Sequence, residues 1–243
     1  MRLRLTLGSS LKSAVTESVP VLALDGPGGS GKGTVARRLA ELLGWQFLDS
    51  GALYRLVGLA ALEADVDLTD ANALADIALS LDVRFSNKAG DERIWLQERE
   101  VSDDLRSEAT GRAASQVATQ PAVRAALLEL QRRFRQAPGL VADGRDMGTT
   151  VFTDAVVKVF LTASLEERAR RRYNQLKEKG IDVSLAAVSK DIAARDRRDT
   201  ERSVAPLKAA SDARILDSTF LSPEEVTHQL LAWLKQVGIT PKH

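Results

Sequence analysis

The segment Gly26-Pro27-Gly28-Gly29-Ser30-Gly31-Lys32-Gly33-Thr34 carries the plainest chemistry in this 243-residue chain. Glycines at this density let successive backbone N–H groups converge on one anion. A lysine adds a full positive charge, and a helix starting there adds the partial charge of its first turn. Gly-x-x-x-x-Gly-Lys is the spacing of a loop that cradles nucleotide phosphates, with Lys32 reaching the β- and γ-phosphates. The apolar run Val19–Asp25 before it reads as a strand, and Val35, Leu39, Leu42 and Leu43 after it recur at helical spacing. That setting weighs against the plain alternative, a glycine-rich turn with a chance lysine. Gly33 stands where such loops usually place a Ser or Thr on the metal, so the available hydroxyl is that of Thr34, one residue later. No guanine-reading Asn-Lys-x-Asp string occurs.

A carboxylate and a set of arginines suit the same chemistry. Asp143 ends the apolar run Gly139–Asp143, where an aspartate orients metal-bound water beside phosphates, or simply closes a strand. Asp143-Gly144-Arg145-Asp146 then puts an arginine at the carboxyl end of a strand, the side on which open α/β sheets bind ligands. Moving a phosphoryl group onto a phosphate brings two polyanions together, and planar guanidiniums that never lose their charge offset the repulsion. Candidates are Arg55 in Ser50–Arg55, Arg168 to Arg172, and Arg195, Asp199 and Arg202, which share one helical face at i, i+4 and i+7. A solvated helix laced with ion pairs is the bland reading of both charged segments. The stretch Glu166–Arg172 also reads either as a mobile lid closing over phosphates or as an RNA-binding patch, and interleaved acidic residues weaken the latter.

Elements that would position these residues follow from apolar spacing. Strands are expected at 19–25, 45–49, 139–143, 156–161 and 214–217. Helices are expected at 34–43, 50–65 (with Ser50 as its cap), 71–81, 107–118, 121–135, 165–179, 185–198 and 223–237. Between helical segments, 82–85 and 93–96 read as a hairpin around the turn Asn87-Lys88-Ala89-Gly90, a small insertion. Short buried strands alternating with amphipathic helices imply an α/β chain with a parallel sheet covered on both faces.

Composition narrows the function classes. Lys+Arg total 34 against 33 Asp+Glu, a formal charge of +1, which argues against a bulk nucleic-acid or membrane binder. With no cysteine, thiolate catalysis, disulfides and Cys-ligated metals are out, and two histidines, His228 and His243, make no metal cluster. Both histidines read as surface residues, and Trp45, Trp95 and Trp233 as packing residues. No apolar run suits a membrane span or a secretion signal, so the expected location is cytoplasmic.

The ordered set of motifs resembles one family. Leu24-Asp25-Gly26-Pro27 with its loop, Leu48–Arg55, Ala113–Ala118, Val123-Arg124, Ala142–Thr149 and Arg195-Asp196-x-Arg198-Asp199-x-x-Arg202-x-x-x-Pro206-Leu207 are similar to the bacterial cytidylate kinases. These are P-loop nucleoside monophosphate kinases. The likeness runs from about Val21 to the last helix.

The resemblance implies a three-layer P-loop α/β fold with a parallel sheet, an inserted nucleotide-monophosphate-binding subdomain and a helical lid. On that reading 1–18 is a flexible tail, 19–66 and 102–243 form the core with a lid at about 165–182, and 67–101 is the insertion. It also implies transfer of the γ-phosphoryl group of ATP to CMP or dCMP, with Mg²⁺ and no nucleic-acid or membrane partner, by a monomer. Gly26 to Thr34 with Arg168 would hold ATP. Lys32, Arg145, Arg171, Arg172 and Arg202 would stabilise the transferring group. Ser50, Arg55, Arg145 and Arg202 would bind the acceptor phosphate, Arg195 and Asp199 the sugar, and Ser115, Arg124 and Asp146 the cytosine. Asp143 and Thr34 are the candidates near the metal. The nearest rivals are a UMP or AMP kinase of the same fold, and an ATP-binding nucleic-acid regulator that transfers nothing.

Overall fold

The computed structural model describes residues 2–3, 19–86 and 93–241. By its internal packing the chain divides into two compact units, one of Pro20–Asp49 with Arg135–His243, the other of Met1–Val19 with Ser50–Phe134.

The first unit is built on a five-stranded, wholly parallel sheet: β2 (Val21–Asp25), β3 (Gln46–Asp49), β7 (Leu140–Gly144), β8 (Val157–Thr162) and β9 (Arg214–Asp217), in the order β3-β7-β2-β8-β9. β2 is central and buried on both faces, which is why its apolar residues run consecutively rather than alternating. α1 (Lys32–Leu43) buries Val35, Ala36, Leu39, Ala40 and Leu43, a stripe at the helical period. These join Leu22, Leu24, Val141, Val159, Leu161 and, from α9 (Pro223–Gln236), Val226, Leu230 and Leu234 in one apolar core. Ser222 and Glu225 form a reciprocal capping box that starts α9. α7 (Leu165–Glu178) and α8 (Leu185–Glu201) share a smaller cluster of Ala169, Leu176 and Val188.

The second unit combines α2 (Ser50–Glu63), α3 (Ala71–Leu79), α4 (Ser102–Arg106), α5 (Glu108–Val117) and α6 (Pro121–Arg132) with an antiparallel sheet. That sheet runs in the order β1 (Arg2–Leu3), β4 (Val83–Phe85), β5 (Ile94–Leu96), β6 (Arg99–Glu100). α2 packs on α5 closely enough at Gly58 that a methyl group there would lie 3.0 Å from the Ala114 nitrogen. Phe85 and Phe134 meet edge to face at 5.5 Å.

The parallel α/β architecture is as expected, with helices on both faces of the sheet. The packing unit Ser50–Phe134 is wider than the insertion expected at 67–101, because the flanking helices pack among themselves and with the small sheet. Ser50 does not cap a helix from a loop: β3 ends at Asp49 and α2 begins at the next residue. Of the expected tail 1–18, only Arg2–Leu3 are described, as strand β1 paired with β4. The rest of it, the turn at 87–90 and His243 lie outside the described residues; His228 is exposed. Among the described residues no helix is long and apolar enough to cross a membrane.

Candidate active site

The glycine-rich loop leaves β2 and enters α1 without a break. Gly26, Gly29 and Gly31 have φ of 147°, 80° and 90°, a region L-residues avoid. A side chain on Gly26 would also run into the Leu161 carbonyl oxygen. Gly31 is the N-cap residue of α1, and no side chain caps the helix. The first N–H groups of α1 therefore remain for an anion. Lys32 is buried and donates to the Pro27 carbonyl at 2.7 Å and to Ser30 Oγ at 3.3 Å. Burial, aided by the Arg145 charge, pushes its ammonium down to about 7, against the pull of Asp143 and Asp25.

Asp143 lies beside this loop, its Oδ2 3.3 Å from where a Cβ on Gly33 would sit. Burial pushes its carboxyl up to about 6, and Asp49, its register partner on β3, adds to the rise while Lys32 opposes it. The described residues hold no cluster of three or more metal-ligating side chains. The pair Asp143 and Asp49 nonetheless suits a divalent cation whose remaining ligands are phosphate oxygens and water. Thr34 is exposed on α1.

Arginines from three places face the loop. Arg145 follows β7. Its Nε donates to Asp199 Oδ2 at 2.9 Å, and its Nη2 is 3.5 Å from a Cβ position on Gly28. Burial works against its charge, but the carboxylates of Asp199, Asp143 and Asp196 together hold its pKa above the usual value. Asp199 is buried too, and the cations Arg145, Arg195 and Arg202 more than offset that burial, keeping its carboxyl below the usual range. Arg195, one turn earlier on α8, has Cδ 4.0 Å from the same Gly28 position.

α8 ends at Glu201, and Arg202 is its C-cap, with its N–H still donating to the Arg198 carbonyl at 3.2 Å and its charge felt at Asp199. There its Nε donates to the Ala205 carbonyl at 2.6 Å, and its Nη2 lies 3.8 Å from Asp146 Oδ1, with both side chains buried. A 3.8 Å separation is an ion pair without a hydrogen bond.

On α7, Arg168 is buried and occupied. Nε donates to the Ala163 carbonyl at 3.0 Å, and Nη1 donates to the Gly28 carbonyl at 3.1 Å and pairs with Asp196 at 2.7 Å. Arg171 donates to the Ser218 carbonyl at 2.6 Å and pairs with Glu167 at 2.8 Å. Ser218 Oγ in turn donates to the Ser30 carbonyl at 3.0 Å. Arg172 lies further out, beside Gln175. Asp196 and Ser218, which the sequence reading did not single out, thus brace the two arginines. Asp25 was visible as a carboxylate inside an apolar strand. It is buried, and accepts from the N–H groups of Met147 at 2.7 Å and Gly148 at 2.8 Å, in the single π-helical turn Met147–Val151.

In the second unit, Ser50, Ser115 and Arg124 are buried. Arg55 donates to the Leu105 carbonyl at 2.6 Å and lies 3.3 Å from a Cβ position on Gly111. Arg124 donates to the Ala118 carbonyl at 3.4 Å and lies 5.6 Å from the centre of the Tyr54 ring. Ser115 and Arg124 thus stand on α5 and α6, the helices joined by Ala118–Gln120.

Comparison with known proteins agrees with this arrangement. The family described as cytidylate kinase matches residues 22–236. The cytidylate kinase of Pseudomonas paraeruginosa is 57% identical over 223 residues, 91% of this chain and 97% of that one. That of Pseudomonas syringae pv. tomato is 60% identical over 215 residues, 88% and 94% of the two chains. That of Photorhabdus laumondii is 54% identical over 218 residues, 90% and 96%. Among solved structures, TT1252 from Thermus thermophilus is 21% identical with a TM-score of 0.41, covering 90% of this chain and 99% of that one. A phosphate cradle between strand and helix, backed by guanidiniums, is what many nucleotide enzymes share; the match across nearly the whole chain, at more than half of its residues, is what separates them, and by it this chain belongs to the cytidylate kinase family.

Proposed function

We propose that the chain transfers the γ-phosphoryl group of ATP to CMP or dCMP, releasing ADP and CDP or dCDP. The observation that carries the reading is Arg145. Its Nη2 lies beside Gly28 of the phosphate loop, and its Nε is tied to Asp199 among Arg195 and Arg202. It therefore stands between the cradle for one nucleotide and the cations assigned to the other.

An oxygen of the acceptor's phosphate forms a bond to the γ-phosphorus as the bond to the β,γ-bridging oxygen breaks, and ADP leaves with that electron pair. The attacking oxygen is already anionic, so no side chain has to remove a proton. What the protein supplies is position and charge. Gly26 to Thr34 hold the ATP phosphates through backbone N–H groups and Lys32. Arg168 serves ATP by bracing the loop, while Arg171 and Arg172 supply charge from α7. Asp143 and Asp49 would hold Mg²⁺, which would supply charge neutralisation on the β- and γ-phosphates.

For the acceptor, Arg145 and Arg202, with Ser50 and Arg55, take the phosphate, and Arg195 and Asp199 take the sugar hydroxyls. Asp146 accepts from the 4-amino group of cytosine, with Ser115 and Arg124 donating to the ring. Uracil presents an acceptor at that position and leaves Asp146 facing a like partner, a loss that discriminates strongly.

The test is diphosphate formation by purified enzyme with ATP and each of CMP, dCMP, UMP and AMP. Turnover of CMP or dCMP far above UMP and AMP is expected. Equal turnover of UMP overturns the base assignment, and no product with any acceptor overturns the reaction.

A further inference from the structure

We infer that Asp25 is a positioning residue for base selection, fastening the turn that carries Asp146 to the strand that carries the phosphate loop. The inference rests on the reading of Asp146 as the group that accepts from cytosine.

Asp25 is the last residue of β2, and the glycine-rich loop starts at the next residue. In register it lies beside Gly144 of β7, two residues before Asp146. Its carboxylate accepts two N–H groups in succession, Met147 to Oδ1 and Gly148 to Oδ2. Those are the first two residues after Asp146. Asp146 itself has φ −148° and ψ 25°, outside the helical region, and its side chain does not cap the turn that follows. The Asp146 carbonyl accepts from the N–H groups of Thr150 and Val151, which ties Asp146 to the turn, so what holds 147 and 148 holds Asp146 with them.

What holds them is Asp25, from 122 and 123 positions away in sequence. The turn is also closely packed, since a methyl group on Gly148 would lie 3.1 Å from Lys158 Cδ and 3.4 Å from Asp25 Oδ2. A carboxylate with an acceptor for each N–H suits this place, whereas an amide presents one acceptor and turns its NH₂ toward the other donor. Asp25 does not reach the substrate. It fixes Asp146 relative to Lys32, so that recognition of the base and placement of the phosphates share one rigid frame.

The test is Asp25→Asn, alone and combined with Asp146→Asn, scored as the ratio of kcat/KM for CMP over UMP at saturating ATP, with KM for ATP measured separately. Asp25→Asn should lower the CMP-over-UMP ratio about tenfold while KM for ATP stays within about twofold, the loss falling on orientation of a buried polar group. In the Asp146→Asn background the same change should lower the ratio no further, since the two act as one unit. An unchanged ratio, or equal rises in KM for CMP and ATP, overturns the inference. If wild-type enzyme itself shows no preference for CMP, the reading of Asp146 fails instead, and the two failures are distinct. Should Asp25→Asn not fold, amide hydrogen exchange on wild-type enzyme decides. Met147 and Gly148 N–H groups should be protected before any nucleotide is added, and free exchange at both overturns the inference.

Discussion

Binding of ATP should draw a proton onto Lys32. In the free protein the ammonium is buried, it donates only to the neutral oxygens of Pro27 and Ser30, and Arg145 repels it. Its pKa is therefore down at about 7. The β- and γ-phosphates bring several negative charges against Nζ, and their attraction restores the charged form. At pH 8 the free enzyme carries about a tenth of a proton on Lys32 and the complex about one, so about 0.9 proton is taken up for each ATP bound. At pH 6 the Lys32 part of the uptake is about 0.1, and across the same interval the titration of Lys32 by itself raises the apparent Kd for ATP about tenfold, or about 1.4 kcal/mol. Titration calorimetry at pH 8 in buffers of different ionisation enthalpy reads the uptake directly as a slope. ATP is fully ionised at that pH and contributes none. Lys32→Arg, whose guanidinium stays charged throughout, should bring the slope near zero. A flat wild-type slope at pH 8, or an unchanged slope in Lys32→Arg, refutes the argument.

The same burial predicts a stability change of opposite sense. A lysine whose folded pKa lies below its unfolded value costs stability fully below about pH 7 and less as pH rises toward 10.5. Lys32→Met should therefore stabilise the nucleotide-free protein at pH 6 by about 2 kcal/mol, after allowing for the hydrogen bonds to the Pro27 carbonyl and Ser30 that it removes, and abolish turnover. A lower Tm at pH 6 contradicts it. Gly26→Ala should cost about 3 kcal/mol or more in thermal unfolding, because its φ of 147° and the Leu161 carbonyl both exclude a methyl group. Arg168→Ala should raise KM for ATP about tenfold or more with KM for CMP little changed, since it frees the Gly28 carbonyl and leaves Asp196 without its partner; steady-state kinetics in both substrates checks it. Asp146→Ala should erase the preference for CMP over UMP while ATP binding persists, measured by competition between the two acceptors.

Legibility in the sequence followed how local each feature is. β2, the glycine-rich loop and α1 are contiguous, and both the apolar run and the helical stripe depend only on neighbours, so that unit was readable residue by residue. The hairpin strands 83–85 and 94–96 likewise announced themselves. Three things were not readable. The end of α8 at Glu201 depends on Arg202 donating to Ala205, a residue at φ 48°, and apolar spacing carries no sign of that. The π-helical turn at 147–151 is held by Asp25 from the neighbouring strand, and nothing within Met147–Val151 predicts it. The short strand β6 and helix α4 are set by packing within their unit. Arg168 and Arg171 show the limit in the site itself. Their position on a basic helix was visible, but a sequence cannot say whether a guanidinium meets ligand or is already spent on Gly28, Ser218 and their carboxylates.

That the cations of the loop are paired in the free protein bears on how they act. Arg145 is tied to Asp199, Arg202 sits beside Asp146, and Lys32 feels both Asp143 and Asp25. Each carboxylate subtracts from the attraction a phosphate would feel, so the arrangement is not one of greatest charge. A guanidinium turned freely toward water would bind an anion only after losing its own freedom, at about 2 kcal/mol of side-chain entropy for each arginine. Asp199 removes that cost beforehand by holding Nε of Arg145, with the Gly144 carbonyl taking Nη1 and Nη2 left toward Gly28. Burial lets Lys32, near 7, gain its proton when the phosphates arrive. The site therefore meets two polyanions with donors already aimed and with charge still to be acquired. Reorganisation during transfer is thereby kept small, and the positive charge appears where the phosphates are.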